Sequence, residues 1–286
     1  MLWAGCVLPA LFPYLFITAV LSSLSITSKI GRLISPLTTR FFNVGGAVGY
    51  ALLASLISGY PVGAKTVSDL RKNNLISDEE AVRASTVCST SSPVFIFGSV
   101  ASVMFGSLSF GIKLYICHVL STLITGCFFG LYKRWIKPTK MQTFSLAKVD
   151  NVFYESVFSS VISVLTVGGI ITLFYLFTQI LLSLGVLSPF VWIFEKIFTS
   201  KSAAEGLCVG IFECTNGLKL LASTGIGFFT LPIATFICSF GGLSVIMQSV
   251  AFLKNAKIKT APFVLSKLIS AVIGFLLGLI VTLLPF

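Results

Sequence analysis

The sequence predicts an all-α polytopic membrane protein made of two inverted repeats, each with about three transmembrane helices plus a re-entrant helical hairpin. Three observations carry this reading: charge-free runs long enough to cross a bilayer, one order of motifs that occurs twice, and basic residues that sort to one side of the membrane. Hydrophobic residues make up 56% of the 286-residue chain and charged residues only 10%, against about a quarter charged in a soluble domain. Mean hydropathy is +1.00. No charged residue occurs in Met1–Ser28, Phe41–Ala64, Ala84–Ile112, Ser156–Phe194, Leu220–Leu253 or Leu268–Phe286. About 20 apolar residues cross the hydrocarbon core as a helix. The net charge of +11 then reads as loop lysines and arginines that obey the positive-inside rule, and no nucleic-acid partner is expected.

The elements follow in order. Residues 3–27 form the first span. It has no basic leader and exceeds the apolar length of a signal peptide, so no cleavage is expected. Residues 29–42 are a short amphipathic stretch. Residues 44–73 contain "ISGYPVGAK" (Ile57–Lys65), where two glycines and a proline interrupt an apolar helix just before a lysine. Residues 84–106 and 109–132 are two further spans. The first repeat thus occupies 1–135, a basic cytoplasmic connector 136–155, and the second, inverted repeat 156–286.

Four matches define the repeat, in one order and at an offset of about 150 residues. "ISPL" (Ile34–Leu37) matches "LSPF" (Leu187–Phe190). "GYPVGAK" (Gly59–Lys65) matches "ECTNGLK" (Glu213–Lys219). "CSTSSPVFI" (Cys88–Ile96) matches "CSFGGLSVI" (Cys238–Ile246). "YICHVLSTLITG" (Tyr115–Gly126) matches "VLSKLISAVIG" (Val264–Gly274), which sets His118 opposite Lys267.

If residues 44–73 crossed fully, the basic residues would fall on both sides. If they enter, turn at Gly59-Tyr60-Pro61 and leave on the same side, each repeat crosses three times and the second copy is inverted. Inside then lie Lys29, Arg32, Arg40, Arg71, Lys72, Arg83, Lys133, Arg134, Lys137, Lys140, Lys148, Lys254, Lys257 and Lys259. Outside lie Lys113, Lys196 and Lys201, while Lys65, Lys219 and Lys267 sit at membrane depth. This is the asymmetry that the positive-inside rule requires, and both termini are expected on the non-cytoplasmic side. Inverted repeats with helices broken near the midplane are the mark of secondary transporters.

The candidate residues follow from that depth. Glu213 is the acid placed deepest, expected to handle a coupling proton or cation, or else to form a structural salt bridge with Lys219 or Lys65. Lys65 and Lys219 are repeat-related, and two ammonium groups facing one cavity suit a dianion; snorkelling is the alternative. Gly59, Tyr60, Pro61, Gly63 and Gly217 shape the turns, where an exposed helix N-terminus favours an anion. Ser89, Thr90, Ser91 and Ser92 precede Pro93, where hydroxyls either satisfy freed carbonyls or face a ligand. Ser244, Thr215 and Asn216 add neutral hydrogen-bonding groups. His118 is expected either as a hydrogen-bonded core residue or as a proton relay. "SDEE" (Ser77–Glu80) reads as a helix N-terminus capped by Ser77 or Asp78. The seven cysteines lie mostly in apolar runs without a CxxC pair and read as small buried hydrophobes. No cofactor or metal site and no enzymatic motif is read from the chain.

"SGYPVGAK", "LRKNNLISDEEAVR", "CSTSSP" and "GIFECTNGLK" together resemble the nucleoside-recognition (Gate) domain family and, more closely, the sporulation integral membrane proteins of the YlbJ type. The resemblance covers nearly the whole chain. It implies a core like that of concentrative nucleoside transporters, with two re-entrant hairpins. It also implies a place in the bacterial cell membrane or outer forespore membrane and a part in moving dipicolinate during sporulation. Dipicolinate has two carboxylates, which matches the two lysines. The expected function is therefore a secondary transporter of a small organic anion, coupled to a proton or cation. A nucleoside–cation symporter and a non-transporting membrane scaffold of a spore-envelope complex are the alternatives. A homo-oligomer is left open.

Overall fold

A computed structural model describes residues 12–13, 15–17, 19–20, 26–139 and 152–284. Most of the span expected at 3–27, and Lys140, Lys148 and most of the connector 136–155, lie outside the described residues. Every regular element among the described residues is helical. Four helices are long and apolar enough to cross a membrane, at Leu108–Phe129, Val152–Ser183, Thr230–Asn255 and Ala261–Leu283. A fifth crossing is counted if Leu33–Phe42 and Gly46–Ser58, bent by 92° at their junction, act as one. The protein is thus a multi-pass integral membrane protein in contact with the lipid bilayer.

The chain forms two compact units. One comprises Met1–Thr90, Ile124–Gly169 and Gln248–Ser266; the other comprises Ser91–Leu123, Ile170–Met247 and Lys267–Phe286.

In the first unit, α1 (Ile26–Phe42) is amphipathic. Leu33, Leu37 and Phe41 face outward while Thr38 and Phe42 are buried. The chain turns at Asn43, which adopts positive φ, into α2 (Gly46–Ser58), which is buried along most of its length. Gly59 ends α2 at φ 77° and ψ −161°, a conformation open to glycine, and the Tyr60–Pro61 peptide bond is cis. The return helix α3 (Val62–Lys72) packs back on α2 so closely that a Cβ on Gly63 would lie 2.7 Å from the Ser55 Cβ and 2.2 Å from the Cys88 carbonyl oxygen. Residues 46–72 therefore form the helical hairpin expected from "ISGYPVGAK", turned at Gly59-Tyr60-Pro61.

Helix α4 (Asp78–Val87) is capped by Ser77, whose Oγ accepts the Glu80 N–H. The expected cap is borne out, but the segment does more than start a helix. Glu80 is fully buried. Its carboxylate accepts the Gly45 N–H at 2.5 Å, the Thr139 N–H at 3.0 Å and the Thr139 hydroxyl at 2.7 Å. One turn on, the Arg83 guanidinium donates to the carbonyls of Tyr132, Lys133 and Ile136. A buried charge is tolerable when hydrogen bonds offset its desolvation; the Glu80 carboxylate and the two terminal nitrogens of Arg83 use theirs to pin the chain that follows Leu108–Phe129, while Arg83 Nε makes no hydrogen bond among the described residues.

The span expected over 84–106 is not one helix. It stops at Val87, runs irregularly through Cys88–Ser92, and resumes after Pro93 as α5 (Val94–Met104), wound as a π-helix. The reason is local. Pro93 has no N–H to give the preceding turn, and the residue before a proline is pushed away from helical geometry.

The second unit takes in most of α6 (Leu108–Phe129) and part of α7 (Val152–Ser183), then α8 (Ser188–Phe198) and α9 (Lys201–Phe212). Ser200 caps α9 by accepting the Ala203 N–H. α9 folds onto α10 (Cys214–Ala222) through glycines. A Cβ on Gly217 would stand 2.3 Å from the Gly210 Cα, and one on Gly206 2.9 Å from the Leu221 nitrogen. This is a second antiparallel hairpin, turned at Glu213. α11 (Thr230–Phe240) and α12 (Gly242–Asn255) meet at Gly241 and Gly242, both at positive φ. α13 (Ala261–Leu283) lays Gly274 against Ser239 and Thr235, and Gly278 against Pro232. The apolar core of this unit gathers Leu207, Leu218, Leu221, Ile233 and Ile237 around Phe198 and Phe110.

Candidate functional site

The first hairpin brings some of the expected residues together. Thr90 is tied to α2: its hydroxyl donates to the Ser55 carbonyl at 2.7 Å, and its N–H donates to the Ser55 Oγ at 3.2 Å. Gly63 touches the same place, so Ser55, Gly63, Cys88 and Thr90 form one buried junction where the turn of the hairpin meets the broken strand of chain. Ser89 is buried beside it, Gly59 and Pro61 are buried at the turn, and Tyr60 is half-buried. Lys65 is buried on α3 and its ammonium donates to Asp69 one turn later at 3.1 Å. The lysine expected to await an anion thus already has a carboxylate partner. Spacing by four on a helix was the signal for that pair.

The second hairpin explains Glu213. This residue is extended at φ −141° and ψ 113° and caps α10, its carboxylate accepting the Thr215 N–H at 3.1 Å and the Asn216 N–H at 2.7 Å. Neither Lys219 nor Lys65 takes the carboxylate in the described ion pairs. The anion that the helix N-terminus favours is therefore supplied by the chain itself. In the first hairpin the turn falls at Gly59, and α3 begins without a side-chain cap. Gly217 is buried in the α9–α10 contact. Thr215 and Lys219 are exposed and Asn216 is half-buried.

A second polar cluster, in the same unit, is richer than expected. His118 is fully buried on α6. Its Nε2 lies 2.8 Å from the Ser91 backbone nitrogen. A backbone N–H can only donate, so Nε2 is the unprotonated nitrogen. The proton of the neutral ring is then on Nδ1, 3.0 Å from Ser239 Oγ. Ser239 Oγ contacts Ser121 Oγ at 3.0 Å, and Ser121 Oγ contacts Ser270 Oγ at 3.2 Å. Burial of the ring is the larger influence on His118, and the charge of Lys267, buried one turn before Ser270 on α13, is the smaller. The Cys214 thiol, hydrogen-bonded to Cys238, also feels Lys267. Ser244 is buried at the start of α12, while Ser92 accepts the Phe95 N–H and starts the π-helix.

Sequence reasoning named His118 and Lys267 but not Ser55, Asp69, Ser121, Ser239 or Ser270 as site residues. Ser121 and Ser270 follow His118 and Lys267 by three residues, on the same helix face, which was the available signal. They are 149 residues apart, the same separation as His118 and Lys267.

Outside the apolar segments, Arg71, Asn74, Ile76, Ser77, Asp78, Glu79 and Thr139 line an open depression of about 410 Å³. The hydrogen bond from Arg71 holds the Asp78 carboxyl below its ordinary range, and the hydrogen bond from Lys133 does the same for Glu79.

The family model described as "Gate: Nucleoside recognition" matches residues 6–112. The sporulation integral membrane protein YlbJ of Bacillus subtilis (strain 168) is similar over 297 aligned positions at 31% identity, covering 95% of this chain and 72% of that protein. No solved structure matches the chain significantly.

Proposed function

The chain belongs to the family of sporulation integral membrane proteins that YlbJ represents, and from that premise we propose that it is a secondary transporter of a small organic anion, dipicolinate-like, and not an enzyme. The observation that carries the reading is the pair of helical hairpins turned at the repeat-equivalent residues Gly59 and Glu213, each with polar groups buried at its turn. Irregular backbone in a membrane protein is sustained where it is packed in protein or lines a wet cavity. Transporters use such broken helices to meet substrate and coupling ion.

In this reading the two repeats are inverted relatives with a core like that of concentrative nucleoside transporters, and both termini are non-cytoplasmic. The Ser121–Ser270 contact supports a two-fold relation, because equivalent residues of two repeats touch only near an axis that relates them. Each hairpin carries a lysine that suits an anion, Lys65 on α3 and Lys219 on α10. The chain supplies a carboxylate to each hairpin, Asp69 to Lys65 and Glu213 to the α10 N-terminus. A substrate carboxylate competes for those same donors. A proton or cation taken up at Glu213 or His118 couples the cycle: protonated Glu213 is a weaker acceptor for the Thr215 and Asn216 N–H groups, which loosens the turn.

The test is uptake of labelled dipicolinate and labelled uridine into vesicles holding the purified protein, with Glu213→Gln and Lys65→Ala alongside. Dipicolinate uptake weakened by both substitutions is expected. Uptake of uridine alone would make the protein a nucleoside symporter. No uptake of either by a folded protein would leave a scaffold.

A further inference from the structure

Resting on the transport reading, we propose that the coupled ion is a proton, that it binds at His118 Nε2, and that its arrival unlatches the chain at Ser91–Pro93. The geometry is chemically one-way. Nε2 can hold the Ser91 N–H only while it keeps its lone pair. A proton placed on Nε2 turns that acceptor into a donor, so two N–H groups then face each other at 2.8 Å and the contact is lost. The other ring nitrogen is already engaged with Ser239, and Ser239 is held in turn by Ser121, which contacts Ser270. The ring is therefore fixed, and Ser91 is the partner that must move. Ser91 is well placed to move, because it lies in the irregular stretch two residues before Pro93, where no helical ladder holds the backbone.

The surroundings set when the proton binds. The titratable groups around the ring and its neighbours are Lys267 on α13, Cys214 on α10 and Cys238 on α11, with Glu213 acting on Cys214. A second positive charge beside Lys267 in a buried site is unfavourable. An anion that brings negative charge to the cluster offsets the repulsion, so anion and proton each favour the binding of the other. Linkage makes that effect reciprocal. The result is proton–anion symport.

His118 is the single histidine of the chain, so histidine labelled with nitrogen-15 reports this ring alone. In the full chain in lipid, magnetic resonance at neutral pH is expected to show an Nδ1–H ring with a bare Nε2. As the pH is lowered, the second nitrogen gains a proton and the Ser91 amide signal shifts in the same step. In Lys267→Met the step comes about one pH unit higher, and added dipicolinate moves it the same way in wild type. A ring whose protonation leaves the Ser91 amide unmoved, or a step indifferent to Lys267→Met, overturns the latch. In vesicles, His118→Gln keeps a permanent acceptor for Ser91. With the latch held closed, its dipicolinate uptake is expected to show no acceleration by an inward proton gradient. If the variant keeps that acceleration, His118 is not the coupling site although transport stands. If wild type moves no dipicolinate at all, the transport reading itself fails and the symport role with it, while the resonance experiment alone still decides the latch.

Discussion

Replacing Gly63 by alanine tests whether the first hairpin closes as described. The added Cβ would sit 2.2 Å from the Cys88 carbonyl oxygen, and 2.7 Å from both Cβ and Oγ of Ser55. The nearest obstacle is backbone, which cannot swing away as a side-chain tip can. Ser55 is held by its hydrogen bonds with Thr90, so the cheapest relief is to splay α3 from α2 and strain that junction. Overpacking of this kind costs about 1–3 kcal/mol. At roughly 2–4 °C per kcal/mol for a chain of this size, the midpoint of thermal unfolding falls by several degrees. Gly169→Ala is the control. Gly169 lies inside α7 with nothing within 4 Å of its added Cβ, and alanine is favoured over glycine in a helix by about 0.5–1 kcal/mol. Thermal unfolding of the purified protein in one detergent, followed by tryptophan fluorescence and by helical circular dichroism, reads both variants. A Gly63→Ala protein as stable as Gly169→Ala would refute the close hairpin.

Further outcomes follow from other contacts. Glu80→Gln is expected to destabilise the protein by about 2–4 kcal/mol, because an amide offers one oxygen to three donors and turns its own N–H₂ toward others; unfolding in denaturant measures it. Glu213→Ala removes the cap of α10 and is expected to cost about 1 kcal/mol, with Glu213→Gln losing less, and hydrogen exchange at Thr215 and Asn216 rises in both. The carboxyls of Asp78 and Glu79 titrate below their unfolded values. Their stabilisation is present above the unfolded values near pH 4 and is lost as pH falls through the folded ones. An unfolding series in acid therefore shows a decline that Asp78→Asn reduces and that added salt weakens. Asp69→Asn frees the Lys65 ammonium and is expected to tighten dipicolinate binding, read by calorimetry; unchanged or weaker binding removes Lys65 from the site.

The amino-acid order by itself determined the class of protein and the places where helices fail. Charge-free runs speak directly about the solvent, since a bilayer admits few charges. Gly59, Pro61 and Pro93 act on their own backbone, so their effects are local and readable. Ser77 is readable for the same reason, its partner being three residues away. What the side chains hold was decided by tertiary structure alone. Glu213 was expected as a coupling group or a salt-bridge partner, and only the fold shows that it caps α10, because its extended backbone aims the carboxylate at the next turn. Residues 84–106 looked like one span because hydropathy counts side chains and does not see that Ser55 and His118 take up the freed backbone at Thr90 and Ser91. Glu80 was read as part of a capped helix start and Arg83 as a basic residue on the inner side, and both are buried clamps on chain 49 to 59 residues away. In each case the partner is brought by the folding of another segment, and no local pattern records which segment that is.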